Sequence, residues 1–398
     1  MTWPVGYVIT VAIVAWCTFF ACVAPRRPNL LAKSSWLFGM IVNEVPFLAI
    51  YFLIASTALA AAEGDLHSPV GRVAAGIAGV VLVGLAVVAW RGVLSDRAVE
   101  QALERGLGAD WRSRVNVTLR RHRPWLRILL IPFVRSRPDV ERIKDVRYGD
   151  AGRRNLLDIY RRRNAPSNAP VLIYFHGGGF TTGKKSHEAR PLLTRLASRG
   201  WVCISANYRL RPEADFPDHQ IDAKKVIAWA REHGQAYGID ATRVFVSGSS
   251  AGANLAGMCA FTPNDPRFQP GFENSDTTVS GAILLYGYYG HYFGAAPAEP
   301  GSVLQPQGYF TGRTPPLFIA HGTNDGWGTV EAARHVAELA RGGGVNTVVY
   351  AELPGGQHSF DVFHSPRFEA VVDGVEAFTA WTLAGQTRGV ASDEVRDR

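Results

Sequence analysis

Apolar residues fall into two regimes along this chain. Over the first 90 residues they form three long, nearly uncharged runs; from Ile143 onward they come as short blocks between longer amphipathic stretches. Trp3 to Ala24 carries no charge and is long enough to cross a bilayer. Val45 to Ala62 is a second uncharged run, with Asn43 and Glu44 at its edge. Val70 to Trp90 is a third, interrupted only by Arg72 near its end, where a long side chain can snorkel. Gly76, Gly79 and Gly84 stud this third run, a composition that lets helices approach closely in lipid. The pattern predicts three transmembrane helices in residues 1–90. A secretory leader followed by buried core helices fits less well, because the first run lacks a basic flank and two further runs follow.

Beyond Ile143 the blocks predict strands at Lys144–Tyr148, Leu156–Tyr160, Val171–Phe175, Val202–Ala206, Arg243–Ser247, Gly281–Tyr286, Leu317–Ala320 and Thr347–Glu352. Helical periodicity predicts helices at His187–Ser198, His219–His233, Ala251–Phe261, Thr329–Leu339 and Arg367–Leu383. Short apolar strands alternating with helices mean a mostly parallel eight-stranded sheet covered on both faces, an α/β domain over 141–385. Gly287 to Pro316 exceeds an ordinary connection and is rich in Tyr, Phe, Gly and Pro, as a lid or binding loop would be. Residues 386–398 are polar and read as a disordered tail.

Charge sharpens the middle of the chain. The net charge is +8, and eight arginines with no acid among them lie between Arg112 and Arg137. They interleave with Trp125-Leu126-Arg127-Ile128-Leu129-Leu130, so residues 91–140 read as a basic amphipathic connector lying on anionic lipid. A nucleic-acid patch is the other meaning of such charge, but no nucleic-acid fold signature accompanies it. Arg26, Arg27 and Lys33 make the first loop basic, like the region after the third run. With three spans of a plasma membrane, the positive-inside rule puts the large domain in the cytoplasm; with two or four spans the conclusion inverts. Cys17, Cys22, Cys203 and Cys259 have neither zinc-site nor redox-motif spacing and read as free thiols.

The candidate chemistry centres on Gly248-Ser249-Ser250-Ala251-Gly252. A strand, a sharp turn and a small-residue helix would hold Ser250 on a nucleophile elbow. A serine hydroxyl needs a base within hydrogen-bond reach, and the base needs an orienting carboxylate. His358, in the glycine-rich loop after the last strand, is the expected base; His364 is its closest rival, with His335 on a helix and His291 in the long loop. Asp325, just past the strand Leu317–Ala320, is the expected acid, with Glu352 as runner-up and a plain Asx-turn as its other possible use. Asp265, Glu273 and Asp276 come too early, and Glu331 and Glu338 fall on a helix. His176-Gly177-Gly178-Gly179 follows the strand Val171–Phe175. Amides of Gly178, Gly179 and Ala251 can there stabilise an oxyanion, each donor worth about 3 kcal/mol. A phosphate loop is the rival use of those glycines, but its closing Lys-Ser/Thr is missing. His176 reads as a loop-shaping residue.

These motifs, with His321-Gly322-x-x-Asp325, Gly355-Gly356-x-His358-x-Phe360 and Asn207-Tyr208-Arg209-Leu210-Arg211-Pro212-Glu213, make the region from Ile143 to Leu383 resemble the α/β-hydrolase esterases of the hormone-sensitive-lipase type. Ser249 stands where that family usually has an acid, and Asp325-Gly326-Trp327-Gly328 departs from its Asp-x-x-Val-Pro. The first 140 residues do not match soluble members; the layout is similar to membrane-anchored actinobacterial esterases and to plant prenylcysteine methylesterases. The resemblance implies an α/β-hydrolase fold and a membrane-anchored serine carboxylesterase or lipase with Ser250, Asp325 and His358 as its triad. Phe180, Ser249, Tyr286 and Tyr288 would line the substrate pocket, and Arg209 would meet Asp222 or Glu213. No metal or organic cofactor is implied; the expected partners are an ester with an apolar acyl group and membrane lipid. Acyl transfer, thioester hydrolysis and a non-catalytic binding protein of the same fold remain alternatives, and the oligomeric state stays open.

Overall fold

A computed structural model of the chain describes residues 4–25, 29–115, 123–134, 136–164, 167–289 and 309–396. The N-terminal region holds α1 (Val5–Val23), α2 (Asn29–Glu44), α3 (Pro46–Ala62) and α4 (Pro69–Leu107). Pro46 and Pro69 occupy first-turn positions, where a missing N–H costs nothing, and Ser68 caps α4 by accepting from the Gly71 amide at 3.0 Å. α1, α3 and the first half of α4 pack together through Tyr7, Val11, Leu53, Ala60, Ala74, Ala78 and Leu85. Their outward sides expose Ile9, Ile13, Phe52, Ile54, Val80 and Val83. α1 and α4 are each long and apolar enough to cross a membrane. α2 and α3 pass that test only as a pair, and they are bent by 83° at Val45. The described residues therefore offer two such helices, or three if the bent pair is one span.

The expected boundary at residue 90 does not exist. α4 runs unbroken through Trp90 to Leu107, since neither proline nor a glycine C-cap intervenes before Gly108. Its far half lays Val99, Ala102, Leu103 and Leu107 against Phe318, Val349 and Phe378. Residues 91–107 thus cover the sheet, where the sequence had placed a connector on lipid. Two short helices follow, α5 (Trp111–Arg114) and α6 (Trp125–Leu130). Ile128 of α6 is buried beside Val45, Phe47 and Phe363, while Trp125, Leu126 and Leu130 stay exposed. The basic stretch finds acids outside itself: Arg112 pairs with Glu100, and Arg123 with Asp96 and Asp373.

All eight expected strands form: β1 (Val140–Arg147), β2 (Leu156–Arg162), β3 (Ala169–Phe175), β4 (Val202–Ala206), β5 (Ile239–Ser249), β6 (Gly281–Leu285), β7 (Leu317–Gly322) and β8 (Val348–Leu353). They make one sheet in the order β1-β2-β4-β3-β5-β6-β7-β8. β2 is antiparallel to both neighbours, and β4 through β8 run parallel. Helices α7 (Arg190–Ser198), α8 (Asp218–His233), α9 (Ala251–Phe261), α10 (Val330–Gly342) and α11 (Pro366–Arg396) complete the domain. Strand alternation sorts them: Val171 and Ile173 of β3 face α8, α9 and α10, whereas Leu172 and Tyr174 face α4, α7 and α11. β5 lies at the centre, so its C-terminal end is walled on both sides. α11 continues past residue 385 to Arg396, where a disordered tail was expected; no proline after Pro366 stops it. The long loop Gly287–Pro316 falls mostly in 290–308, outside the described residues. All four cysteines are free, with Cys203 and Cys259 buried.

One buried ion pair ties the N-terminal helices to this domain. Glu44, at the end of α2, pairs with Arg367 at the start of α11, both essentially without solvent exposure. Ser365 donates to Glu44 at 2.7 Å and Asn43 donates to it at 3.1 Å. Removing one partner strands a charge in the interior, which costs about 3–5 kcal/mol. Glu44→Ala is expected to lower the free energy of unfolding in detergent by that amount, and Arg367→Met on top of it to restore part of the loss. Unchanged stability in Glu44→Ala would show the pair to be dispensable.

Candidate active site

At the end of β5 the chain turns sharply into α9, and Ser250 sits on the turn at φ 54°, ψ −118°. A non-glycine residue in the positive-φ region is strained, and such strain persists where the surroundings over-determine it. The turn is held by the Ser250 amide donating to the Leu285 carbonyl at 3.0 Å. Gly252 is required by contact, since a Cβ there would lie 2.0 Å from the Phe175 carbonyl oxygen. This close approach brings the start of α9 against the end of β3 and the glycine loop that follows it.

His358 Nε2 lies 2.9 Å from Ser250 Oγ, and His358 Nδ1 lies 2.8 Å from Asp325 Oδ2. The other Asp325 oxygen accepts from the Trp327 and Gly328 amides at 2.8 and 2.9 Å. Asp325 therefore makes the Asx-type turn and faces the histidine at once. Burial alone would raise its carboxyl; His358 with its hydrogen bond, then His321 and the Trp327 amide, outweigh burial and hold it below the usual carboxylate range. Gln357 clamps the two loops: its Oε1 accepts from the Gly326 and His358 amides at 2.8 and 3.0 Å. The rivals lie elsewhere. His364 bonds Glu369, Glu352 pairs with Arg334, His335 is exposed on α10, and His291 is outside the described residues.

A cavity of about 930 Å³ opens over Ser250 and His358. Gly178, Gly179, Ala251 and Tyr288 line it. Gly178 is at φ 113°, and a Cβ there would lie 2.3 Å from the Thr182 carbonyl oxygen, so no other residue fits that loop. His176 is buried, stacks on Tyr208 at 4.4 Å and shares a 2.7 Å hydrogen bond with the Gly177 carbonyl. Burial pushes it down to about 4, which keeps it neutral.

Three expected pocket residues do not line the cavity. Phe180 is fully buried against His219 and Tyr208. Ser249 ends β5 with its side chain on the far side from Ser250's, donating to Asp361 at 2.6 Å and accepting from Tyr174 at 2.8 Å. Tyr286 is buried, donates to Asp361 and packs edge-on against His358 with centroids 4.7 Å apart. Ser249, at the end of β5, and Tyr286, just past β6, turn toward the layer of α4, α7 and α11, whereas Phe180, in the loop after β3, packs into the opposite layer.

The sequence reading missed two acids beside the elbow, of which Asp361 receives Ser249 and Tyr286. Asp361 lies under the elbow, and Glu188 lies in the cavity's back wall, part-exposed to it yet surrounded by protein. Glu188 accepts from the Gly177 amide at 2.6 Å, and Tyr174 Oη lies 3.3 Å from Glu188 and 3.2 Å from Asp361. One phenolic hydrogen cannot serve Ser249, Glu188 and Asp361 together. A proton on Glu188, donated to the Tyr174 oxygen, completes the set and leaves Asp361 ionised with two hydroxyl donors. The electrostatics agree: burial, then the facing Asp361 carboxylate, push Glu188 up to about 7, and burial raises Asp361 as well.

A folded-state value raised above the ordinary one means stability that is present at low pH and lost as pH climbs toward about 7. Glu188→Gln cannot titrate and still donates to Tyr174. Its Tm minus the wild-type Tm is expected to grow between about pH 5 and pH 8. Buried histidines that titrate in both proteins cancel in that difference, and a flat difference would contradict the shared proton.

This geometry can be set beside known proteins. The BD-FAE family matches residues 157–288. The protein named "Probable carboxylic ester hydrolase LipM" of Mycobacterium tuberculosis is 35% identical, over 97% of this chain and 95% of its own length. Esterase LipQ of the same organism is 35% identical over 73% of this chain and 75% of its own. The chain belongs to the α/β-hydrolase esterases of the hormone-sensitive-lipase type. Its activity is that of a carboxylic ester hydrolase. The fold likeness extends to Thermogutta terrifontis esterase 2 in a butyrate-bound structure, with a TM-score of 0.52, 24% identity and coverage of 61% of this chain and 93% of that one. In this esterase the Asn207–Glu213 stretch is fastened by Arg209, which pairs with Asp222 at 2.9 Å and Asp218 at 3.0 Å. Of the two acids expected to meet Arg209, Asp222 does and Glu213 does not.

Proposed function

We propose that this esterase works through an acyl-enzyme on Ser250 while held at a membrane surface. The observation that carries the reading is the unbroken chain Ser250 Oγ to His358 Nε2 at 2.9 Å and His358 Nδ1 to Asp325 Oδ2 at 2.8 Å. His358 takes the hydroxyl proton as Ser250 attacks the ester carbonyl, then returns it to the departing alcohol. Asp325 fixes the imidazole with its proton on Nδ1 and stabilises the charged ring. Gly178, Gly179 and Ala251 border Ser250 in the cavity, where their amides can receive the developing oxyanion. Water deacylates the enzyme by the same route in reverse.

Membrane attachment rests on the apolar outer faces of α1, α3 and the first half of α4. α3 alone spans about 25 Å, close to the hydrocarbon thickness of a bilayer. Counting it as a crossing keeps three, with the esterase domain on the side of the basic loops, the cytoplasm.

A fluorophosphonate probe tests the reading. It is expected to label the full-length protein on one peptide, the one that contains Ser250. A protein that binds esters without reacting would carry no adduct there.

A further inference from the structure

One helix belongs to both the membrane region and the active site. α2, about 24 Å long, packs against α1 and at the same time reaches the esterase domain. Its inner side meets the catalytic loops at successive points. The Ala32 carbonyl lies 2.7 Å from where a Gly326 Cβ would sit, next to Asp325. Ser35 Oγ accepts from Gln357 Nε2 at 3.2 Å, and Glu44 reaches Arg367. Trp36 lines the cavity over Ser250, edge-on to Trp327 at 5.7 Å, and Lys33 sits 5.5 Å over the same Trp327 ring.

The outer side of α2 is apolar and bare. Leu30, Leu37 and Ile41 are 73%, 62% and 51% exposed, at spacings of seven and four that put them on one stripe. Lysine at the polar edge of such a stripe is what an interfacial helix carries. The cavity at about 930 Å³ is near the upper end of small-molecule sites, larger than a short ester needs. We propose that α2 is an interfacial helix that walls the active-site cavity on its membrane side, and that the substrate is a long-chain acyl ester resident in the bilayer, entering past Trp36. This rests on the Ser250 acyl-enzyme reading.

The full-length protein, reconstituted in phosphatidylcholine vesicles, is assayed with p-nitrophenyl palmitate dispersed in the same vesicles and with p-nitrophenyl butyrate in solution. The wild-type rate on palmitate is expected to follow its mole fraction in the bilayer and not its bulk concentration. Leu37→Gln with Ile41→Gln touches only the outer stripe. It is expected to lower kcat/KM for the vesicle-borne palmitate at least about tenfold while the butyrate rate and Tm stay near wild type. Trp36→Ala is expected to lose more on palmitate than on butyrate. Equal effects on both esters, or palmitate turnover indifferent to its mole fraction, would overturn the inference while leaving the esterase reading intact. A wild-type chain inactive on both esters would overturn that reading and this one with it.

Discussion

Replacing Ser250 by alanine is expected to remove ester hydrolysis almost entirely, by about 10⁶-fold in kcat, the scale seen when triad enzymes lose their serine. The elbow leaves no substitute. Ser249 is the adjacent hydroxyl, but it is buried and already committed to Asp361 and Tyr174. Ser359 lines the cavity, yet the His358 ring points its Nε2 at Ser250. Alanine also relieves no strain, because Cβ remains at φ 54°. The fold should therefore survive, and a circular dichroism spectrum with a Tm near wild type, alongside lost p-nitrophenyl butyrate turnover, is the expected pair of results.

Asp325→Asn should cost about 10⁴-fold in kcat, as a triad Asp-to-Asn change does elsewhere. The local geometry explains why the amide cannot simply turn round. One Asp325 oxygen receives the Trp327 and Gly328 amides, so asparagine must keep its carbonyl there. Its NH₂ then faces His358 Nδ1, which must become an acceptor. The ring proton moves to Nε2, and the histidine can no longer take the proton from Ser250. Fluorophosphonate labelling should slow in parallel, at little cost in Tm. A loss of less than tenfold would mean that Asp325 only shapes its turn.

Much of this was legible in the sequence, and the parts that were not have physical reasons. The six parallel strands, β3 to β8, announce themselves because a parallel sheet buried on both faces needs continuous apolar blocks. Ser250, His358 and Asp325 were recognisable because each sits in a glycine-rich turn at a strand's C-terminal end. Ser249 and Tyr286 were misplaced because proximity in sequence says nothing about which face of the sheet a side chain takes, and Phe180 because its loop folds the ring down onto Tyr208 and His219. Asp361 and Glu188 lie 173 residues apart (361 − 188) and meet only through Tyr174. Their signal is faint: a carboxylate three residues past His358, set between Phe360 and Val362. α2 was hidden for another reason. Its hydropathy is diluted by Lys33, Ser34, Ser35 and Asn43, so only packing reveals that one side faces Asp325's loop and the other stays apolar and bare. The long reach of α4 over the sheet escaped for the opposite reason, since an apolar span and an amphipathic cover helix are fused without a break.

The acyl-enzyme itself is the most direct test. Full-length protein mixed with p-nitrophenyl butyrate and quenched in acid within the first turnovers should yield a peptide containing Ser250 that carries one butyryl group, in step with a burst of p-nitrophenol. Steady turnover with no butyryl on Ser250, or with the group on another residue, would contradict the account.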